Sequence, residues 1–373
     1  MNVGAARRAT SAMFLICGTA TSCWAPMIPF VKARLGLDEG TLGLVLLAFG
    51  GGSMVAMPLA GAAIHVWGSR RVVSLASVAA CAALPVLSLP LNIGLVTATL
   101  LVFGAALGAM DVAMNAQALA VQHAAARPIM SGFHGFFSVG GLAGAAIVSV
   151  LLRAGFGLTA CAVGITAVLA LLAVSQQQHL VADHGTADSG SFTIVPKPAV
   201  LVLGALCFMC FLGEGAVLDW SGVFLSGQRQ VDVSVNGIGY FAFSVAMAVM
   251  RFAGDRITHG AGPRTVLQIS GALAAAGFLA AALIPSAAGA LAGFVIVGIG
   301  AANIVPIFFT AAGRVPGVAP GIGLATVTTI AYAGLLVGPA LIGFVADATS
   351  LQFAFVLVAA MFGAIALSAG RVG

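Results

Sequence analysis

Asp111 and Glu214 each interrupt a long apolar stretch, in a chain with only ten acidic residues in all. A carboxyl removed from water takes up a proton more readily than one in solution, because desolvation disfavours the anion. Binding and releasing a proton is therefore the chemistry these two suggest, with a hydrogen-bonded structural acid as the alternative for each. Asn115 stands one helical turn beyond Asp111 on the same face. Asn303 falls about where an internal repeat, described below, places a counterpart to Asp111. Carboxamides suit a polar solute because they offer donors and acceptors without charge, although an Asn inside an apolar helix also ties helices together.

Asp219 lies five residues beyond Glu214, nearer the end of its stretch, and reads as a mouth or gate residue. Trp24 and Trp220 occupy similar positions in the two halves and could stack on a flat solute such as a sugar ring. An aromatic belt at a membrane interface is the competing reading. Thr329 and Tyr332, with Thr326 and Thr328, make one stretch rich in hydroxyls and are assigned to the same lining. His134 pairs with a carboxylate or ends a helix on a backbone bond. Arg251 and Asp255 are four residues apart, the spacing of an intrahelical ion pair.

The elements that must position these groups follow from composition. The chain is 61% apolar and 7% charged, and its apolar residues gather into runs at about 9–31, 40–66, 71–92, 95–121, 129–152, 156–176, 198–225, 236–257, 264–285, 288–312, 318–346 and 351–370. A hydrocarbon core of ~30 Å takes about 20 residues of helix to cross, and backbone in lipid must satisfy its own hydrogen bonds. Alternating strands that would close a barrel are not seen in the pattern. The reading is an all-α membrane protein with twelve transmembrane helices. Its longest polar interruption, rich in Gln, His, Gly, Ser and Thr, predicts a linker over 177–197 between a six-helix bundle at 1–176 and another at 198–373. Pro26 and Pro29 should distort the outer part of the first span.

Basic residues set the orientation, since Lys and Arg near helix ends are kept on the cytoplasmic side. With the amino terminus inside, ten basic residues (Arg7, Arg8, Arg70, Arg71, Arg127, Lys197, Arg256, Arg264, Arg314 and Arg371) fall on that side. Four (Lys32, Arg34, Arg153 and Arg229) fall opposite. Both termini and the linker are expected in the cytoplasm, at a bacterial inner membrane. The net charge of +5 then reflects topology, and no nucleic-acid partner is inferred. Arg7 and Arg8 precede an apolar run, which with eleven more to follow reads as a first span and not as a secretory leader. All six cysteines lie in apolar runs, so Cys207-x-x-Cys210 reads as two buried hydrophobes, and neither a disulfide, a metal nor a cofactor is expected.

The chain repeats itself. His65-Val66-Trp67-Gly68-Ser69-Arg70-Arg71-Val72 is answered 194 residues later by His259-Gly260-Ala261-Gly262-Pro263-Arg264-Thr265-Val266. Gly140-x-x-x-Gly144 matches Gly334-x-x-x-Gly338, and Gly104 matches Gly298, at the same offset. A duplicated six-helix unit makes two pseudo-symmetric bundles, as in secondary transporters.

At these loops the sequence resembles the major facilitator superfamily over nearly its whole length. That family's loop between helices 2 and 3 reads roughly Gly-x-x-x-Asp-Arg/Lys-x-Gly-Arg-Arg/Lys, against Gly61 to Arg71 here, with His65 in place of the acid. The resemblance implies that His65, Arg70, Arg71, Arg251, Asp255, Arg256 and Arg264 belong to the cytoplasmic gate, and that the usual acidic latch is altered in the first half. Asp111-Val112-Ala113-Met114-Asn115, Ser131-Gly132-Phe133-His134-Gly135 and Glu214 to Ser221 are similar to strings of a bacterial subgroup related to fucose-type sugar symporters. The family fold places the first, fourth, seventh and tenth spans around a cavity and the third, sixth, ninth and twelfth against lipid. Ionisable groups avoid the interiors of the latter four, as the cost of an unsupported intramembrane charge requires.

The expected function is alternating-access transport of a small solute, driven by an ion gradient because no phosphate-binding loop is present, and by protons because acids lie in the apolar runs. Uptake of a polar solute such as a sugar, with Asp111 and Glu214 as proton-coupling residues and Glu214 also contacting solute, is the first expectation. Proton-driven efflux of amphipathic compounds is the alternative, compatible with 23 Phe and 12 Met. Signatures of intramembrane proteases are absent from the sequence, so no enzyme is expected. Its partners would be solute, protons and membrane lipid, and the chain is expected to act as a monomer.

Overall fold

A computed structural model describes residues 2–36, 39–89, 92–182, 197–231 and 238–371. Most of the linker foreseen over 177–197 lies outside the described residues. Every apolar run becomes helix, and two of the twelve are broken, so fourteen helices form among the described residues. The first run gives α1 (Val3–Trp24) and α2 (Ile28–Leu35), joined by a 3₁₀ turn at Ala25–Met27. That turn falls where Pro26 removes a backbone donor.

Then follow α3 (Glu39–Trp67), α4 (Ser69–Ser88), α5 (Ile93–Ala125), α6 (Met130–Arg153) and α7 (Leu158–Gln177). After the linker come α8 (Pro198–Arg229), α9 (Ile238–Ala261) and α10 (Pro263–Leu283). The tenth run gives α11 (Ala287–Ala301) and α12 (Ile304–Ala312), and the last two give α13 (Pro320–Ala348) and α14 (Leu351–Ser368). Ten of the spans are long and apolar enough to cross a membrane by length and composition among the described residues. The two outside that number are the first, which carries Arg7 and Arg8, and the eighth, which carries Arg251, Asp255 and Arg256. Exposed apolar side chains such as Val168 and Leu171 on α7, or Leu367 on α14, cover the faces that lipid would solvate.

Two compact units result. The first comprises Met1–Ala126, Phe136–Val195 and Gly317–Ala325; the second comprises Arg127–Gly135, Pro196–Pro316 and Thr326–Gly373. In the first, α3 and α4 pack on α5, α7 on α4, and α1 on α5 and α7. In the second, α9 and α10 pack on α11, α14 on α10, and α8 on α11 and α14. The pairings are the same set displaced by one repeat.

Glycines make the close approaches. A Cβ at Gly104 would strike the Phe49 carbonyl of α3, and one at Gly298 would strike the Phe243 carbonyl of α9, again 194 residues on. Gly140 lies against Leu15 and Thr19 of α1, and Gly334 against Phe208 of α8. Gly68 and Gly262 begin α4 and α10 with φ 82° and 81°, a left-handed backbone that any other residue would strain to adopt.

Candidate functional site

Unit 1 holds one of the two deep acids. Asp111 is 6% exposed on α5. The Asn115 amide, one turn on, donates to the Asp111 backbone carbonyl at 2.9 Å and to its carboxylate Oδ1 at 3.4 Å. The helix thus supplies the acid with a neutral donor from its own next turn, as the four-residue spacing suggested. Trp24, at the end of α1, is buried.

Three of the residues assigned to a gate lie at the junction of α3 and α4. His65 is half-buried in the last turn of α3, Arg70 is half-buried and Arg71 exposed at the start of α4. Gln117 is not among the residues that the sequence pattern singles out. Its fully buried carboxamide donates to Ser69 Oγ at 2.7 Å and to the Val181 carbonyl at 2.9 Å, and accepts from the Val181 amide at 2.8 Å. One side chain so pins the start of the linker and the start of α4. An amide six residues beyond Asp111 in the same apolar run is the available signal.

Unit 2 carries the denser cluster. Glu214 lies on α8, and its Oε2 is 3.7 Å from Arg251 Nη2 on α9, with the two side chains 19% and 8% exposed. Cys210, one turn before the acid, donates its thiol hydrogen to Glu214 Oε1 at 3.7 Å. Arg251 Nε also reaches the Ala302 carbonyl at 3.4 Å. That carbonyl sits at the break between α11 and α12, where Pro306, four residues on, has no N–H to offer it. The arginine takes the place of the missing ladder bond.

Asn303 stands in the break beside Ala302, 1% exposed, and its Oδ1 has no hydrogen-bonding partner among the described residues. Its carboxamide fills the space that a side chain on Gly254 would occupy. At the strict offset the counterpart of Asp111 is Val305, so Asn303 precedes that position by two residues.

The four-residue spacing suggested a pairing of Arg251 with Asp255, and the structure gives each a partner on another element. For Asp255 it is the first turn of α6, whose Ser131 and Gly132 amides donate to Oδ1 and Oδ2 at 2.8 Å each. Those amides have no intrahelical acceptor, and a carboxylate at a helix N-terminus also meets the positive end of the macrodipole. His134, one turn further on, is buried and sets its ring edge-on to Phe309 of α12 at 5.8 Å.

The remaining predicted residues are more dispersed. Asp219 is exposed. Trp220 packs its ring at Gly343, and its Nε1 is buried without a partner among the described residues. Tyr332 meets Phe211 of α8 edge-on at 5.3 Å, and Thr329 is half-buried one turn before it on α13. Arg256 and Arg264 are exposed, the latter beside Gly370. What the arrangement can do is hold two acids out of water, one beside a cation and one beside an amide.

Known proteins share this plan. The sequence model of the Major Facilitator Superfamily matches residues 10–322. An uncharacterized MFS-type transporter of Yersinia pestis is 44% identical over 97% of this chain and 94% of its own. In structure the chain is similar to FucP, the E. coli fucose:proton symporter, with a TM-score of 0.80 over 98% of both chains at 16% identity. It is similar as well to the proton:xylose symporter XylE, with a TM-score of 0.77 over 99% of this chain and 95% of the other at 11% identity. With its repeat, its helix pairing and the match of the family model over most of its length, the chain belongs to the Major Facilitator Superfamily and is a membrane transporter, not an enzyme.

Proposed function

We propose that this transporter takes up a polar solute, a sugar being the first class to test, in symport with protons across a bacterial inner membrane. The observation that carries the reading is the pair of deep carboxyls on spans one repeat-half apart, Asp111 with its amide and Glu214 with its arginine. A carboxyl that binds a proton loses its hold on a neighbouring cation, so protonation of Glu214 and release of Arg251 are one event. That links proton binding to a rearrangement between α8 and α9. Support also comes from the fold shared with FucP and XylE, both proton symporters of sugars.

In this reading the six-helix halves, 1–176 and 198–373, work by alternating access, and solute contacts fall to Trp24 and Asn115 in the first half and to Glu214, Asp219, Trp220, Asn303, Thr329 and Tyr332 in the second. Both termini face the cytoplasm and the chain works as a monomer. The capping of α6 by Asp255 then belongs to one end of the cycle and is released at the other.

The test is accumulation in proteoliposomes under an imposed proton gradient, screened with radiolabelled hexoses, pentoses and deoxysugars. Asp111→Asn is expected to abolish accumulation while leaving counterflow exchange partly intact, because exchange needs no net proton movement. Accumulation at the native level in Asp111→Asn would move the proton-carrying role to Glu214, and loss of both activities in Asp111→Asn alone would make the residue structural. Glu214→Gln, if the acid contacts solute, weakens binding by ~10- to 150-fold at fixed pH. Drug sensitivity on deletion, without any sugar accumulation, would favour efflux.

A further inference from the structure

We infer that the break in the tenth span is a positioning device for Arg251, assembled from Pro306, Asn303 and Gly254. Three observations meet there. Pro306 leaves the Ala302 carbonyl without its i+4 donor, and Arg251 Nε occupies that acceptor at 3.4 Å. Asn303 is next to Ala302, and its carboxamide sits in the notch that α9 has at Gly254, with Oδ1, Cγ and Nδ2 all within the reach of a Cβ there. Gly254 is three residues after Arg251 on the same helix, so notch and arginine lie on neighbouring positions of one face.

The two contacts fix α9 against the break at two points one turn apart. With Nε held, the guanidinium fork has a set direction, and Nη2 is delivered to Glu214 Oε2 at 3.7 Å. A long arginine has much rotamer freedom to lose, and an anchored Nε removes a large part of it before the pair forms. Asn303 does not touch the acid. Its buried Oδ1, unpartnered among the described residues, is tolerated because the amide serves as a wedge in the notch, with the Gly254 Cα–H against it as a weak donor.

The importance of the Glu214–Arg251 pair for transport rests on the proposed proton coupling, whereas the geometry of the pair does not. The experiment therefore reads the pair without transport. A thermal double-mutant cycle with Glu214→Gln and Arg251→Met is run on purified full-length protein in detergent, in three backgrounds: native, Pro306→Ala and Asn303→Ala. In the native background the cycle is expected to show a coupling of about 2–4 °C in apparent Tm. Pro306→Ala returns an N–H to the Ala302 carbonyl, so it should leave the protein at least as stable while reducing the coupling to under about 1 °C.

Asn303→Ala should reduce it likewise, and Asn303→Ser is the milder variant if the alanine protein does not fold. A role in packing alone would lower Tm additively and leave the coupling unchanged. Coupling retained in full in Pro306→Ala, or absent from the native protein, overturns the inference; failure of sugar accumulation in the transport assay would not bear on it.

Discussion

Asp255 and Gly61 occupy the same position of the repeat, 194 residues apart, and each faces the first turn of a helix. Asp255 in unit 2 accepts two amide hydrogens of α6 at 2.8 Å. Gly61 in unit 1 has no side chain, and α13 comes so close that a Cβ there would stand 2.5 Å from Ala325 Cβ and 3.2 Å from the Gly321 carbonyl. At Asp255 charge meets a helix terminus, while at Gly61 small residues make a close contact. A charged hydrogen bond contributes about 1.5–3 kcal/mol and is lost as the atoms part; apolar contact weakens gradually and can slide.

The same divergence separates the two acids, since Glu214 has a cation and Asp111 an amide. The duplication has kept its packing glycines and let its polar chemistry drift apart. Transport proteins need the first to stay a fold and the second to recognise an asymmetric cargo.

The comparison breaks most readily at the ion pair. Arg251→Met strands the Glu214 carboxylate and is expected to destabilise the protein by about 2–4 kcal/mol, whereas Glu214→Gln combined with Arg251→Met should cost less than Arg251→Met alone. Asp111→Asn in unit 1 is expected to change stability by less than about 1 kcal/mol, because its partner is neutral. Apparent Tm of the four proteins decides it. Equal losses for Arg251→Met and Asp111→Asn would show that the two units hold their acids in the same way.

Next in size is Asp255→Asn, which keeps an acceptor and the shape but removes the charge from the α6 terminus. The expected loss is about 1–2 kcal/mol, a shift of at least ~5-fold in the population of the capped arrangement. Spin labels at Arg127 and Arg256, both exposed and both in unit 2, would report a longer and broader distance distribution. An unchanged distribution would mean that these two bonds do not hold the junction.

Gly61→Ala probes the other junction and is expected to cost about 1–2 kcal/mol by overpacking against Ala325. A smaller residue opposite relieves it: Gly61→Ala with Ala325→Gly should regain most of the Tm. No regain would place the strain elsewhere.

Much of the fold could be read in the sequence because lipid imposes a simple rule on composition. The run at 129–152 becomes α6 at Met130–Arg153, and the repeat that His65 and His259 announce returns as matching φ at Gly68 and Gly262. The break at Pro26 was foreseen, and the equivalent signal of Pro306 in the tenth run was there to be used. The site was harder. Spacing along one helix reveals Asp111 with Asn115, since four residues make one turn. It offered Arg251 a partner at Asp255 on the same grounds, while Glu214 and the Ala302 carbonyl reach that arginine through packing of separate helices, which no local period encodes. Gln117 and its hold on Val181 were hidden for the same reason.

The smallest expected effect belongs to His65→Asp. His65 is in the last turn of α3, and its neighbour Ile64 already lies against Gly321, the second residue of α13. A carboxylate at position 65 would come near the first turn of α13 and the positive end of its dipole, which favours it by about 0.3–1 kcal/mol. It would also stand at the C-terminus of its own helix, where the same dipole disfavours it by a similar amount. The opposing terms nearly cancel, so the latch that the family resemblance implies is restored by less than about 1 kcal/mol, or under ~5-fold in population. Labels at Trp67 and Pro320, both exposed and both in unit 1, should show a modest narrowing as the ends of α3 and α13 are drawn together. No change, or a broadening, would show that a carboxylate at position 65 does not latch this junction.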